Sequence, residues 1–342
     1  MIRPHLSAVH FACTSILCSL LAFGCNKSSD AAQAVPAASA KASPVAAQSI
    51  TAVHLGFQKI GAPFLLKSRS ASLDQRLAEQ SAKADWKEFK HGPALLEAVN
   101  ANEVDVGYVG ETPPVFAQAG GVNFVYVATD PPAPLAEAII VRKDSPLKSL
   151  ADLRGKKVAL NRGSNVHYLL VKALESVKLS LKDIEVLYLA PGDARPAYES
   201  GKVDAWVIWD PFLAAAEQAG SRTLVSGEHL VANRLFYVAR REFAERQPKL
   251  LRTILDEFQS LSDWESKHAE ESAKILAESS GIGYEALLVS EKRHTYGLQP
   301  ITDAVLDAQQ EIADNFRKLE LIPKDIRTRD AFLPAAVYAA KP

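Results

Sequence analysis

Gly107-Tyr108-Val109-Gly110-Glu111-Thr112-Pro113-Pro114-Val115 and, further along, Val203-Asp204-Ala205-Trp206-Val207-Ile208-Trp209-Asp210-Pro211 are the two stretches that decide the fold. Each is a short apolar run that ends in an acid closely followed by proline. Proline suits the first turn of a helix, where its missing N–H is no loss, and Thr112 and Asp210 are natural N-caps. Both runs therefore read as buried strands leading straight into a helix. The approach to each strand matches as well. Gly92-Pro93-Ala94 up to Val104-Asp105-Val106 and Gly192-Asp193-Ala194 up to Val203-Asp204-Ala205 share Gly-x-Ala, a short helix, a polar turn and Val-Asp opening a strand, with slight slippage. The echo predicts two lobes that bring equivalent strand ends, and hence helix N-termini, to a common cleft.

The alternation continues outward. Val53–Phe57, Val104–Val109, Phe124–Ala128, Ile139–Val141, Lys157–Leu160, Val186–Leu189, Ala205–Ile208 and Leu235–Ala239 read as buried strands. Helical patterns lie between them at Ala94–Asn100, Val166–Val177 and Arg195–Ser200. This is an α/β chain with mixed, mainly parallel sheets flanked by helices. After Arg241, apolar residues at helical spacing, such as Ile312, Phe316 and Leu319, predict helices to about residue 320. A length of 342 residues suits two lobes better than one small core. With 39 Lys+Arg against 40 Asp+Glu, the chain lacks the basic surplus that neutralises nucleic-acid phosphates. Its 48% hydrophobic content excludes a disordered chain.

The cysteines Cys13, Cys18 and Cys25 all precede the body, which therefore offers no disulfide framework or thiolate cage. Arg3 followed by an apolar stretch to Leu21 has the layout of a secretory signal, assigned to residues 1–24. Leu21-Ala22-Phe23-Gly24-Cys25 resembles a bacterial lipobox, with Ala22 where leucine is usual, and makes Cys25 the expected lipidation site. The alternative is a plain cleaved signal in which Cys25 is incidental. Residues 25–49, rich in Ala, Ser and Pro, bury too little to offset chain entropy and are expected to be a flexible tether.

Three junctions, at Thr112, at Gly163-Ser164-Asn165 and at Asp210-Pro211, place helix starts just after strands. Unpaired first-turn N–H groups and the helix dipole make such ends receptive to an anion. Gln58, Thr112, Ser164 and Asn165 add neutral donors, and Trp209 offers an apolar wall, with Trp206 turned to the other face of the strand. At any one junction, plain capping accounts for the residues. Convergence on one cleft is what points to a ligand. No HExxH, Cys/His cluster or GxxxxGK[ST] loop is present. Ser164 and His167 have neither a GxSxG elbow nor a placed third group, so His167 reads as a packing residue. No catalytic residue, metal or cofactor is expected.

Longer runs carry a resemblance. Gly56-Phe57-Gln58-Lys59, Gly107 through Gln118, Ala159-Leu160-Asn161-Arg162-Gly163-Ser164-Asn165-Val166-His167-Tyr168-Leu169-Leu170 and Val203 through Pro211 resemble the periplasmic aliphatic sulfonate-binding proteins of ABC importers, and the similarity extends to Leu321-Ile322-Pro323. The resemblance implies a two-lobed type II periplasmic-binding fold that clamps its ligand between lobes by hinge closure. It places ligand-binding residues at Gln58, Gly110, Glu111, Thr112, Ser164, Asn165, Trp209 and Asp210. It also implies a monomeric, non-enzymatic receptor that passes an organosulfonate to a membrane permease and its ATPase subunits, as a sulfur source. Lobe I is expected at 50–141 and 241–342, lobe II at 142–240, with hinges near Val141–Asp144 and Val238–Arg241. Glu111 and Asp210 sit awkwardly beside a sulfonate. Glu111 is expected to face an amine on the ligand or to point into backbone donors, and Asp210 to cap its own helix. Taurine, nitrate or another oxyanion remains open as the ligand, and a thiamine-precursor synthase on the same fold remains the enzymatic alternative.

Overall fold

The structure, a computed structural model, describes residues 51–334. The secretory signal, the tether and Cys25 lie outside the described residues. The strands are β1 (Thr51–Phe57), β2 (Ala82–Glu88), β3 (Val106–Gly110), β4 (Phe124–Thr129), β5 (Glu137–Val141), β6 (Lys157–Leu160), β7 (Glu185–Tyr188), β8 (Ala205–Trp209), β9 (Arg222–Ser226) and β10 (Leu235–Arg240). They form two five-stranded sheets, ordered β2-β1-β3-β10-β4 and β7-β6-β8-β5-β9. In each sheet a single strand, β10 or β5, runs against its neighbours, so both sheets are mainly parallel in direction. β3 and β8, the strands of the internal echo, hold the same central place in their sheets.

The expected lobe boundaries need correction. β5 pairs with β8 and β9, so residues 137–141 belong to the second lobe. β10 pairs with β3 and β4, so residues 235–240 belong to the first. The chain therefore crosses between lobes before each of these strands, between β4 and β5 and between β9 and β10, rather than near Val141–Asp144 and Val238–Arg241. Each crossing is followed at once by a strand that inserts antiparallel into the other lobe's sheet. A run of strand looks the same on either side of a hinge, so each crossing lies one strand earlier than the sequence pattern predicts.

Packing explains why these segments take these places. On the helix Gly92–Asn100, His91 caps the first turn by accepting the Ala94 N–H at 3.3 Å, and Leu95, Leu96 and Val99 are buried. Leu95 rests on bare backbone, because a Cβ at Gly56 would lie 3.1 Å from its side chain and one at Gly107 would overlap it. Full burial of a leucine contributes roughly 2–3 kcal/mol. On the helix Asp303–Lys318, Ile312, Ala313 and Phe316 pack with Val115 and Ala119 of the first lobe and with Tyr168 and Val171 of the second. One apolar cluster thus joins the lobes. No helix among the described residues is long and apolar enough to cross a membrane.

Candidate ligand-binding cleft

Three strand ends converge between the sheets. β3 ends at Gly110, and the chain enters the helix Thr112–Ala119 with Pro113 and Pro114 in its first turn. β6 leads through Gly163, in the left-handed region at φ 71°, to Ser164 and the helix Asn165–Ser176. β8 ends at Trp209, from which Asp210 and Pro211 lead into the helix Phe212–Gln218. A cleft partly open to solvent lies among them. Gln58, Gly110, Ser164, Asn165, Trp209 and Asp210 all line it. Trp206, one turn of the pleat away, is buried against Tyr198 in the lobe core.

The hydrogen bonds define each residue's part. Gln58 donates its Nε2 to the Tyr108 carbonyl at 2.9 Å, which fixes the amide at the cleft wall. Ser164 is the N-cap residue, yet its Oγ donates to the Asn161 carbonyl at 2.7 Å and caps nothing. The helix Asn165–Ser176 therefore begins without a side-chain cap, and of its first-turn amides the His167 N–H donates to the Ser164 carbonyl at 2.9 Å. Asn165 spans the lobes: its Oδ1 accepts the Thr112 N–H at 3.1 Å, and its Nδ2 donates to Asn233 Oδ1 at 2.6 Å. The approach is close enough that a Cβ at Gly110 would overlap the Asn165 amide. Only glycine fits there.

Glu111 and Thr112 sit behind this wall and do not line the cleft. The Glu111 carboxylate accepts the N–H groups of Asn233 at 3.1 Å and Arg234 at 2.9 Å, and Gln309 donates to its carbonyl. Of the two expectations for Glu111, the structure shows backbone donors. Burial lifts its pKa to about 7, opposed by those same donors. Glu137, also fully buried, has neither carboxylate oxygen hydrogen-bonded, and burial together with Glu111 raises it well above the usual range. Thr112 is not the N-cap expected of it: the helix already begins at Thr112, the N-cap position is Glu111, and the buried Thr112 hydroxyl has no hydrogen-bond partner. Asp210 does cap its helix, accepting the Ala214 N–H at 2.9 Å. Burial lifts Asp210 to about 7, with Arg293 pulling the other way.

His167 is a packing residue. It is fully buried, its ring lies among Phe116, Phe316 and Tyr188, and its Nδ1 accepts the Gly163 N–H at 3.3 Å. Burial depresses it to about 4, so it is neutral. No group of His, Cys, Asp or Glu among the described residues is arranged to hold a metal ion.

Three residues of the site were not read from the sequence. Asn233 takes a positive φ of 49° on the second crossing segment and ties Asn165 to the Ala133 carbonyl. His294 lines the cleft 3.5 Å from Asp130. Arg293 reaches Asp210 from the first lobe. Asn233 lies on the segment just before β10, where nothing in the local sequence distinguishes a crossing between lobes from an ordinary loop. The other two lie in the helical C-terminal region, where a surface charge and a ligand-facing one have the same periodicity.

Comparison with known proteins fits this geometry. The NMT1/THI5-like family model matches residues 87–271. An aliphatic sulfonates-binding protein of Escherichia coli K12 is 39% identical over 282 residues, covering 81% of this chain and 88% of that protein. The alkanesulfonate-binding protein SsuA from Xanthomonas axonopodis pv. citri, solved bound to MOPS, superposes with a TM-score of 0.80 at 35% identity, over 84% of this chain and all of that one. The periplasmic aliphatic sulphonate-binding protein SsuA from Escherichia coli gives 0.76 at 36%, over 84% and 99%. The desulfurization enzyme DszB shares the fold at 18% identity with a TM-score of 0.59. With a family model over more than half its length and a relative this similar over most of both chains, the protein belongs to the NMT1/THI5-like family and sits among its aliphatic sulfonate-binding members.

Proposed function

We propose that this chain is the substrate-binding component of an ABC importer that captures aliphatic sulfonates, tethered to a membrane on the periplasmic side through a lipidated Cys25, and that it has no enzymatic activity. The observation that carries the reading is the cleft wall itself. Gly110, Ser164 and Asn165 bring two helix starts and neutral donors to one point between two lobes. A sulfonate stays ionised at any physiological pH, so backbone amides and a helix dipole can hold it without an ion pair. Trp209 supplies an apolar wall for the carbon chain. A receptor must also release its cargo, which favours many modest contacts over one buried cation.

A second reading, an aminoalkanesulfonate such as taurine, is favoured by Glu291 in the same lining, since a carboxyl group there can face an ammonium group. A taurine-binding periplasmic protein of Escherichia coli is 26% identical over 192 residues. A thermal-shift series with C2–C8 alkanesulfonates, taurine, nitrate and sulfate separates these readings. Ligand at a hundred times its Kd stabilises by about 2.7 kcal/mol, a rise of several degrees for a chain of this size. Stabilisation by plain alkanesulfonates supports the first reading. A shift with taurine alone supports the second, and a shift with nitrate alone rejects both.

A further inference from the structure

Arg293 closes the helix Tyr284–Arg293 on the first lobe, and its guanidinium reaches across to two acids of the second. Nη2 lies 2.6 Å from Glu217 Oε2, and Nη1 lies 3.4 Å from Asp210 Oδ1 and 3.5 Å from Oδ2. Both acids are held in place by their own lobe. Glu217 Oε1 accepts the Thr223 hydroxyl at 2.9 Å, and Asp210 Oδ1 accepts the Ala214 N–H. The arginine side chain is 25% exposed and Asp210 only 4%, so the contact is partly withdrawn from water.

We propose that Arg293 is the clasp of the cleft: a positioning residue that holds the lobes together and cancels the charge of Asp210 where an anion must bind. Asp210 lines the cleft, and alone it would repel any sulfonate there. Its partner comes from the opposite lobe, so Asp210 is neutralised only when the lobes meet. Anion binding and lobe closure are thereby coupled through one side chain. Ligand escape requires the fork to leave two fixed acids at once, which slows dissociation more than it alters association. A planar guanidinium can serve both acids, whereas a lysine is a point charge suited to one. Arg293 touches no ligand-binding donor directly; it acts through Asp210 and Glu217.

The ligand arm of the test rests on the sulfonate reading; the shape arm does not. For the wild type, Arg293→Ala, Arg293→Lys and Glu217→Gln, 1-butanesulfonate dissociation is followed by stopped-flow fluorescence, and the radius of gyration of the unliganded chain by small-angle scattering. Arg293→Ala is expected to speed dissociation about tenfold or more with association little changed. Arg293→Lys should recover part of that loss, and Glu217→Gln should fall between. The unliganded Arg293→Ala chain should be more extended than the wild type. Unchanged dissociation and unchanged dimensions in both Arg293→Ala and Glu217→Gln would overturn the clasp. If the wild type binds no sulfonate, the proposed function falls, and the dimensions still decide for or against the clasp. Should Arg293→Ala fail to fold, Glu217→Gln carries both readouts.

Discussion

At the scale of single residues, the cleft depends on one absent atom and one misplaced charge. Gly110 has no Cβ, which lets the Asn165 amide reach the Thr112 N–H from the other lobe. Gly110→Ala should therefore wedge the lobes apart. A clash of this kind costs about 1–3 kcal/mol, so calorimetric titration should show ligand affinity lower by roughly tenfold to a hundredfold. Glu111 is the charge. Burial moves it from 4.5 to about 7, so between those values the folded chain keeps a proton that the unfolded chain has lost. Stability from this group is therefore highest below about 4.5 and declines as pH rises to 7, by on the order of 3 kcal/mol. Glu111→Gln should remove that part of the slope when urea midpoints are compared at pH 5 and pH 8. Asp210, lifted by burial to about 7, contributes a slope of the same sign and keeps the profile from becoming flat. Glu111 predicts tighter sulfonate binding at pH 6 than at pH 8, because its protonation removes a negative charge just behind the cleft wall. Binding that is independent of pH over this range would contradict that prediction.

At the scale of elements, the strand-to-helix junctions were legible because their signals are local. A short apolar run followed by a proline gives a strand-to-helix junction at both Gly110-Glu111-Thr112-Pro113 and Trp209-Asp210-Pro211, although only Asp210 acts as a cap, the N-cap position of the other helix falling on Glu111. β2 and β9 were not legible. Ala82–Glu88 is largely polar with much of its surface exposed, and Arg222–Ser226 is only partly buried. Both are edge strands whose pairing comes from a neighbour rather than from their own pattern. The seating of the helix Gly92–Asn100 makes a sharper test. Leu95 occupies the space a Cβ would take at Gly107, so Gly107→Ala should destabilise the chain by about 1–3 kcal/mol. Leu95→Ala should cost about 2–5 kcal/mol by leaving a cavity. The double variant should cost less than the sum of the two, because each change relieves the other, and a denaturation cycle measures the difference. Strict additivity would mean that the helix shifts to avoid the contact.

At the scale of the whole molecule, two repeated sheets face one another and the chain passes between them twice. The repeat was visible in sequence as the echo of residues 92–106 and 192–205, and the structure gives β3 and β8 equivalent places. The crossing points were not visible, since β5 and β10 belong to sheets on the far side of their hinges. Nor were the contacts that depend on closure. Arg293 to Asp210 and Glu217, and Asn165 to Thr112 and Asn233, join residues far apart in sequence, and no local pattern announces such pairs. Closure around a sulfonate is the central claim. Isothermal titration of the chain with 1-butanesulfonate, paired with small-angle scattering before and after saturation, tests it most directly. Saturable one-to-one binding accompanied by smaller dimensions is the predicted result. No heat with any C2–C8 alkanesulfonate, or binding with unchanged or larger dimensions, would contradict it.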